Sequence, residues 1–130
     1  DSDAFDEVMA SFGLPKSSEE EKEERRLAIR AATLRAAEVP YETARLALNL
    51  LNNLPGLARH GNGNAVTDVG VAGLLASAAA KGAVFNVEIN LSGLPEDYGL
   101  EMRNGMDGLK EDIRLKSREV MDAVRERMSE

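Results

Sequence analysis

The sequence has no cysteine, no tryptophan and a single histidine. These absences exclude disulfides, thiolate metal ligands and cysteine nucleophiles, and one His cannot supply a His-based metal cluster. A cysteine-free chain fits a reducing cytoplasm, where the protein is expected to reside. Aromatic residues are scarce too, three Phe and two Tyr in 130 residues, so Ala and Leu must supply the bulk of the core. Cations are in the minority, with 16 Lys and Arg against 23 Asp and Glu and a formal net charge of −7. Nucleic acid and anionic membrane surfaces both require clustered Lys and Arg, so neither is an expected partner. No basic segment leads into an apolar run and a small-residue cleavage site, so no secretory signal is expected. The longest apolar run, Val69 to Ala80, falls short of the roughly 20 residues of a membrane span.

What is present reads as one helical domain over residues 1–130. Phe5, Val8, Met9 and Phe12 recur at helical spacing from the first residues onward, and Gly13-Leu14-Pro15 ends that helix. The chain enters this helix with no lead-in beyond Ser2, the pattern of a segment from the interior of a longer protein. Ser17 and Glu20 form a candidate capping box for a second helix starting near Ser18, whose EEEKEERR opening is a solvated face of i,i+4 pairs. Pro40 removes a backbone donor and pushes Val39 out of the helical region, which predicts a kink or short break there and a new helix from Tyr41 to about Leu54. His60-Gly61-Asn62-Gly63-Asn64 is a turn by composition. A long helix follows from about Asp68 to Leu91, and Leu94-Pro95-Glu96-Asp97 predicts a last one from about Glu96 to Met128, with Met102, Met106, Leu109, Ile113, Val120 and Val124 on one stripe. No sustained period-two alternation occurs. The fold class is therefore all-α, a bundle of long antiparallel helices, and helices this long in so short a chain predict oligomerisation.

The segment from Arg59 to Leu91 draws most attention for chemistry, because a Gly/Asn turn feeds a helix of small residues punctuated by amides. Asp68 and Asn86 are eighteen positions apart and share a helical stripe, separated by about 27 Å at 1.5 Å per residue. No small metabolite spans that distance, so a shared role needs an elongated ligand or two sites completed by a partner. Asp68 also reads as a helix N-terminal residue, whereas Asn86 and Asn90 inside an apolar helix call for partners at a site or a subunit interface. His60 fits the negative end of the preceding helix, and Lys16 and Lys81 fit solvent or a ligand carboxylate. Asp1 and Asp3, at i and i+2, do not face each other and cannot act as a carboxylate dyad. One of them could move a proton alone.

The runs LPKSSEEEKEERRLAIRAA, AAEVPYETA, RHGNGNAVTDVGVAGLLASAA and FNVEINLSGL resemble the formiminotetrahydrofolate cyclodeaminase / methenyltetrahydrofolate cyclohydrolase family across essentially the whole chain. The resemblance implies an all-helical homodimer that takes a tetrahydrofolate derivative as its substrate, with no other cofactor and no metal. It implies either cyclodeaminase activity, closing the methenyl bridge with loss of ammonia, or cyclohydrolase activity on that bridge. The family's proposed catalytic aspartate, in Asp-x-(Asp/Glu)-Ala-Phe, falls on Asp1 of DSDAF, and Asn62, Asp68, Asn86 and Asn90 match family motif positions, which implies pocket or pocket-supporting residues that bind the substrate. The family also carries, upstream of the acidic stretch, a Pro-Gly-Gly-Gly-Ser helix and a basic-aromatic element that these residues lack. The chain is thus expected to be the C-terminal two thirds of such a domain; if complete as given, it would be a non-catalytic helical dimer.

Overall fold

The computed structural model describes residues 1–130 and contains four α-helices and no strand. They are α1 (Ser2–Phe12), α2 (Glu19–His60), α3 (Val66–Ser92) and α4 (Leu100–Met128), with a 3-10 turn, Gly63–Ala65, between α2 and α3. The all-α expectation holds.

The second helix begins one residue later than the expected capping box. Ser18 Oγ accepts from the Glu21 amide at 3.1 Å, and the Glu21 carboxylate accepts from the Ser17 and Ser18 amides. From there α2 runs for 42 residues through both Pro40 and Pro55. The predicted break at Pro40 does not occur, no new helix starts at Tyr41, and Pro55 ends nothing. Two causes outweigh the loss of a backbone donor. Ala37, Pro40 and Ala44 are buried against the bundle, so the helix is held from outside. A side chain from α3 also reaches the carbonyl that Pro40 leaves without a partner, as described below.

Cross-helix contacts fix the topology. Glu7 pairs with Arg35 at 3.1 Å, and Arg25 donates to the Phe12 carbonyl at 3.2 Å, so α1 runs antiparallel to the first half of α2. Asn90 meets Ala36 while Asp68 and Val69 lie beside Leu54 and Leu57, so α3 runs antiparallel to α2. Between α3 and α4, Gly70 faces Val124, Gly73 faces Val120, the Ser77 and Ser117 hydroxyls hydrogen-bond at 2.8 Å, and Glu88 pairs with Lys110. These helices are antiparallel too, which leaves α2 and α4 parallel. The core lies where the three long helices meet, around Leu51, Val87, Ile113 and Val120. All six residues of the predicted α4 stripe are buried there.

The last helix starts at Leu100, four residues after its predicted start. Arg103 explains the delay: its guanidinium donates to the carbonyls of Leu91, Leu94, Pro95 and Tyr98, which holds that stretch as a turn. The chain then enters α4 through Gly99, whose φ of +67° is a left-handed conformation that favours glycine.

Taken together, Gly63–Ser92 is long and apolar enough to cross a membrane by length and composition. This corrects the estimate from Val69–Ala80, which stopped at the first charge, Lys81. A core helix passes the same test, and ten α3 residues are buried within the bundle.

One surface pair links α2 to α4 with a pH-dependent consequence. Lys116 donates to the Glu119 carboxylate at 2.7 Å, and Arg59 lies 3.6 Å from it. The Lys116 hydrogen bond, followed by the two positive charges, holds the Glu119 carboxyl below its ordinary value of 4.5. A lowered folded-state pKa gives stability that is present above the ordinary value and lost as pH falls through the lower one. All three side chains are more than one-third exposed, so the effect is small. Glu119→Gln is expected to flatten slightly the loss of melting temperature below about pH 4.5 and to do little at pH 7.

Candidate functional site

The helix pair α2 and α3 carries the candidate site residues along its seam. Near its middle a hollow of about 290 Å³ opens between Val39, Pro40 and Thr43 of α2 and Ala78, Ala79, Gly82, Ala83 and Asn86 of α3, with Asp1 at its edge. The space exists because α3 presents methyl groups and a bare glycine there; a Cβ on Gly82 would meet nothing within 4 Å. Asp1 is the N-cap of α1, yet its side chain makes no capping hydrogen bond, which leaves the carboxylate free for other use. Asp1 and Asn86, 85 positions apart in the sequence, line one hollow because α1 folds back along α2.

A second hollow of about 330 Å³ lies at the other end of the seam, where Leu54 and Leu57 of α2 face Asn62, Ala65, Asp68, Val69 and Ala72. Asp68 sits in the first turn of α3 and is not its N-cap, which is Ala65. Its carboxylate lies at the positive end of the helix, where negative charge is favoured. The Asn62 Oδ1 accepts from the Asn64 amide at 3.0 Å and shapes the turn that closes this hollow. The structure thus brings Asn62 together with Asp68, and Asp1 together with Asn86. At 1.5 Å per residue, Asp68 and Asn86 lie about 27 Å apart along α3.

Asn90 lies outside both linings. Its Nδ2 donates to the Asn86 carbonyl at 2.8 Å and to the Ala36 carbonyl at 3.2 Å. Its mid-helix amide calls for partners at a site or a subunit interface, and within the chain its partners are backbone carbonyls on α2 and α3. Conversely, Val39, Pro40 and Thr43 were not recognised as a wall. Pro40, which by composition marks a helix interruption, is part of this wall. The Thr43 hydroxyl donates to the Val39 carbonyl at 3.1 Å. His60, Lys16 and Lys81 are exposed and line neither hollow. No three His, Asp or Glu side chains come together as a metal-holding group.

Residues 1–107 match the family model described as Formiminotransferase-cyclodeaminase. A methenyltetrahydrofolate cyclohydrolase of Methylorubrum extorquens is 38% identical over 96 residues, covering 74% of this chain and 46% of that protein. A formimidoyltransferase-cyclodeaminase of Gallus gallus is 40% identical over 97 residues, and its Rattus norvegicus counterpart 33%, each covering 75% of this chain and 18% of the longer protein. The chain therefore spans about half the length of the bacterial relative and less than a fifth of the vertebrate ones. With more than four fifths of its residues inside the match, the chain belongs to the formiminotransferase-cyclodeaminase family.

Proposed function

We propose that the chain acts in folate one-carbon metabolism as a formimidoyltetrahydrofolate cyclodeaminase, with Asp1 as its acid–base group. The observation that carries this reading is the meeting of Asp1 and Asn86 in one small-residue hollow, in a chain of this family. In the reaction, N10 of the folate attacks the formimino carbon held on N5, and a carbon–nitrogen bond forms. The formimino group reacts in its protonated form, –CH=NH2+; the N10 proton passes to Asp1, which returns it to the departing nitrogen, and the positive charge stays on the methenyl bridge. Ammonia leaves and the 5,10-methenyl bridge remains. A carboxylate can serve in both directions because the proton it accepts is the one it returns. Asn86 would orient the substrate beside Asp1, while Asn62 and Asp68, about 27 Å along the seam, would meet the far end of an elongated folate or a second site. No other cofactor is invoked, and the setting is the cytoplasm.

A homodimer fits the same reading. Val71, Leu74, Leu75, Phe85 and Ile89 of α3 are each more than half exposed, a larger apolar face than isolated surface residues make. The name of the Methylorubrum extorquens relative favours a second activity, hydrolysis of the methenyl bridge by water.

One assay separates the alternatives. The purified protein is incubated with 5-formiminotetrahydrofolate while methenyl absorbance is followed. A rise supports the cyclodeaminase. No rise, with hydrolysis of added methenyltetrahydrofolate, replaces it with the cyclohydrolase. Neither reaction, together with no saturable folate binding in calorimetry, leaves a non-catalytic helical assembly. A further variant tests the hollow itself. Gly82→Ala should keep or raise the melting temperature, since the space is open and Ala is favoured over Gly in a helix by up to about 1 kcal/mol. Gly82→Leu should fill the hollow and weaken folate binding about tenfold or more without unfolding the protein.

A further inference from the structure

Proline in a helix interior has no N–H to give to the carbonyl four residues earlier. In α2 that carbonyl belongs to Ala36, and Pro40 is buried against the bundle. The missing donor comes from Asn90 of α3, whose Nδ2 lies 3.2 Å from the Ala36 oxygen. The same amide donates to the Asn86 carbonyl, 2.8 Å away and one turn back on α3. One NH2 group with two hydrogens thus serves two carbonyls on two helices. Both helices contribute to the hollow at this level, α2 through Pro40 and α3 through Asn86.

Beside the hollow, small side chains do little to fix how far α3 sits along α2. Ala37 and Ala44 of α2 and Ala80 and Ala83 of α3 are all buried and all end in a methyl group. Uniform small contacts of this kind fill space without specifying register, whereas a single directed polar contact penalises every other register. We infer that Asn90 is a positioning residue: by occupying the donor vacancy of Pro40 it sets the height of α3 on α2, and so holds Asn86 opposite the wall formed by Val39, Pro40 and Thr43. The functional half of this inference rests on the folate reading of the hollow; the pairing of Asn90 with Pro40 does not.

A double-mutant cycle tests both halves. Asn90→Ala, Pro40→Ala and the double variant are compared with the parent in urea unfolding. Methenyltetrahydrofolate binding is measured by calorimetry under conditions where each protein is folded. Asn90→Ala alone strands the Ala36 carbonyl and should lower the folding constant about tenfold. With Ala at position 40 the backbone N–H returns, and the same substitution should cost about twofold or less. Stability is therefore expected to be rescued in the double variant while folate binding stays weak, because the tie between the helices is still absent. The double variant also keeps the test open if Asn90→Ala fails to fold. Additive unfolding effects would overturn the pairing. Recovery of binding in step with stability would overturn the positioning role, since a purely structural amide predicts that outcome. A parent protein that binds no folate would overturn the folate reading and the positioning role with it, while the unfolding cycle still decides the pairing.

Discussion

Asp1→Asn is expected to lower turnover of 5-formiminotetrahydrofolate by about 10²–10⁴-fold, the usual contribution of a positioned acid–base group. The substitution keeps the size and shape of the side chain and removes its ability to accept a proton. It should leave the fold intact, because Asn caps a helix as well as Asp does and the Asp1 side chain makes no capping bond that could be lost. Activity and melting temperature should therefore separate, the first collapsing while the second stays. Asp3→Asn supplies the control: two positions along α1, Asp3 does not line the hollow and should leave turnover near the parent value. An Asp1→Asn protein with the parent rate would remove this carboxylate from the proton transfer.

Gly73→Leu is expected to destabilise the bundle by about 3 kcal/mol or more, at the upper end of overpacking effects. A Cβ on Gly73 would sit 2.6 Å from Val120 Cγ1 and 2.9 Å from Met121 Cε. Met121 can swing aside. Val120 cannot, since it is branched at Cβ, fully buried and restricted to few rotamers. Gly73→Ala combines this clash with a helix-propensity gain of up to about 1 kcal/mol and should still come out destabilised. Gly56→Ala is the contrasting case in α2, where an added methyl meets nothing within 4 Å and should stabilise by up to the same amount. Urea midpoints at constant m-value would measure all three. Parent-like stability of Gly73→Leu would mean that α3 and α4 do not approach as closely as Gly70 and Gly73 allow.

The all-α class was legible because the helical period is strong in α1 and α4 and no alternating run competes with it. The α4 stripe from Met102 to Val124 became core without exception. Local stops such as Gly13 were legible for the same reason, that their physics lies within a few residues. What could not be read depended on distant partners. Pro40 obeys the rule that proline removes a donor, but the replacement donor is 50 positions away on another helix. The segment from Leu94 to Asp97 has helix-start composition, and it stays a turn because Arg103 takes its carbonyls. Within the site, the pairing of Asn62 with Asp68 is local and follows from the turn. That Asp1 should meet Asn86 follows only from the fold-back of α1.

That fold-back places the proposed proton carrier on the least anchored part of the molecule. Of the eleven residues of α1 only Ala4 and Ser11 are buried, while Phe5, Met9 and Phe12 are at least half exposed. Its polar ties to α2 are the exposed Glu7–Arg35 pair and the Arg25 contact to the Phe12 carbonyl. Segments with so few buried contacts open at free energies well below that of global unfolding. Activity should accordingly be lost on warming or in mild urea before the three long helices come apart, and hydrogen exchange in α1 should be fast while amides near Leu51 and Val87 remain protected.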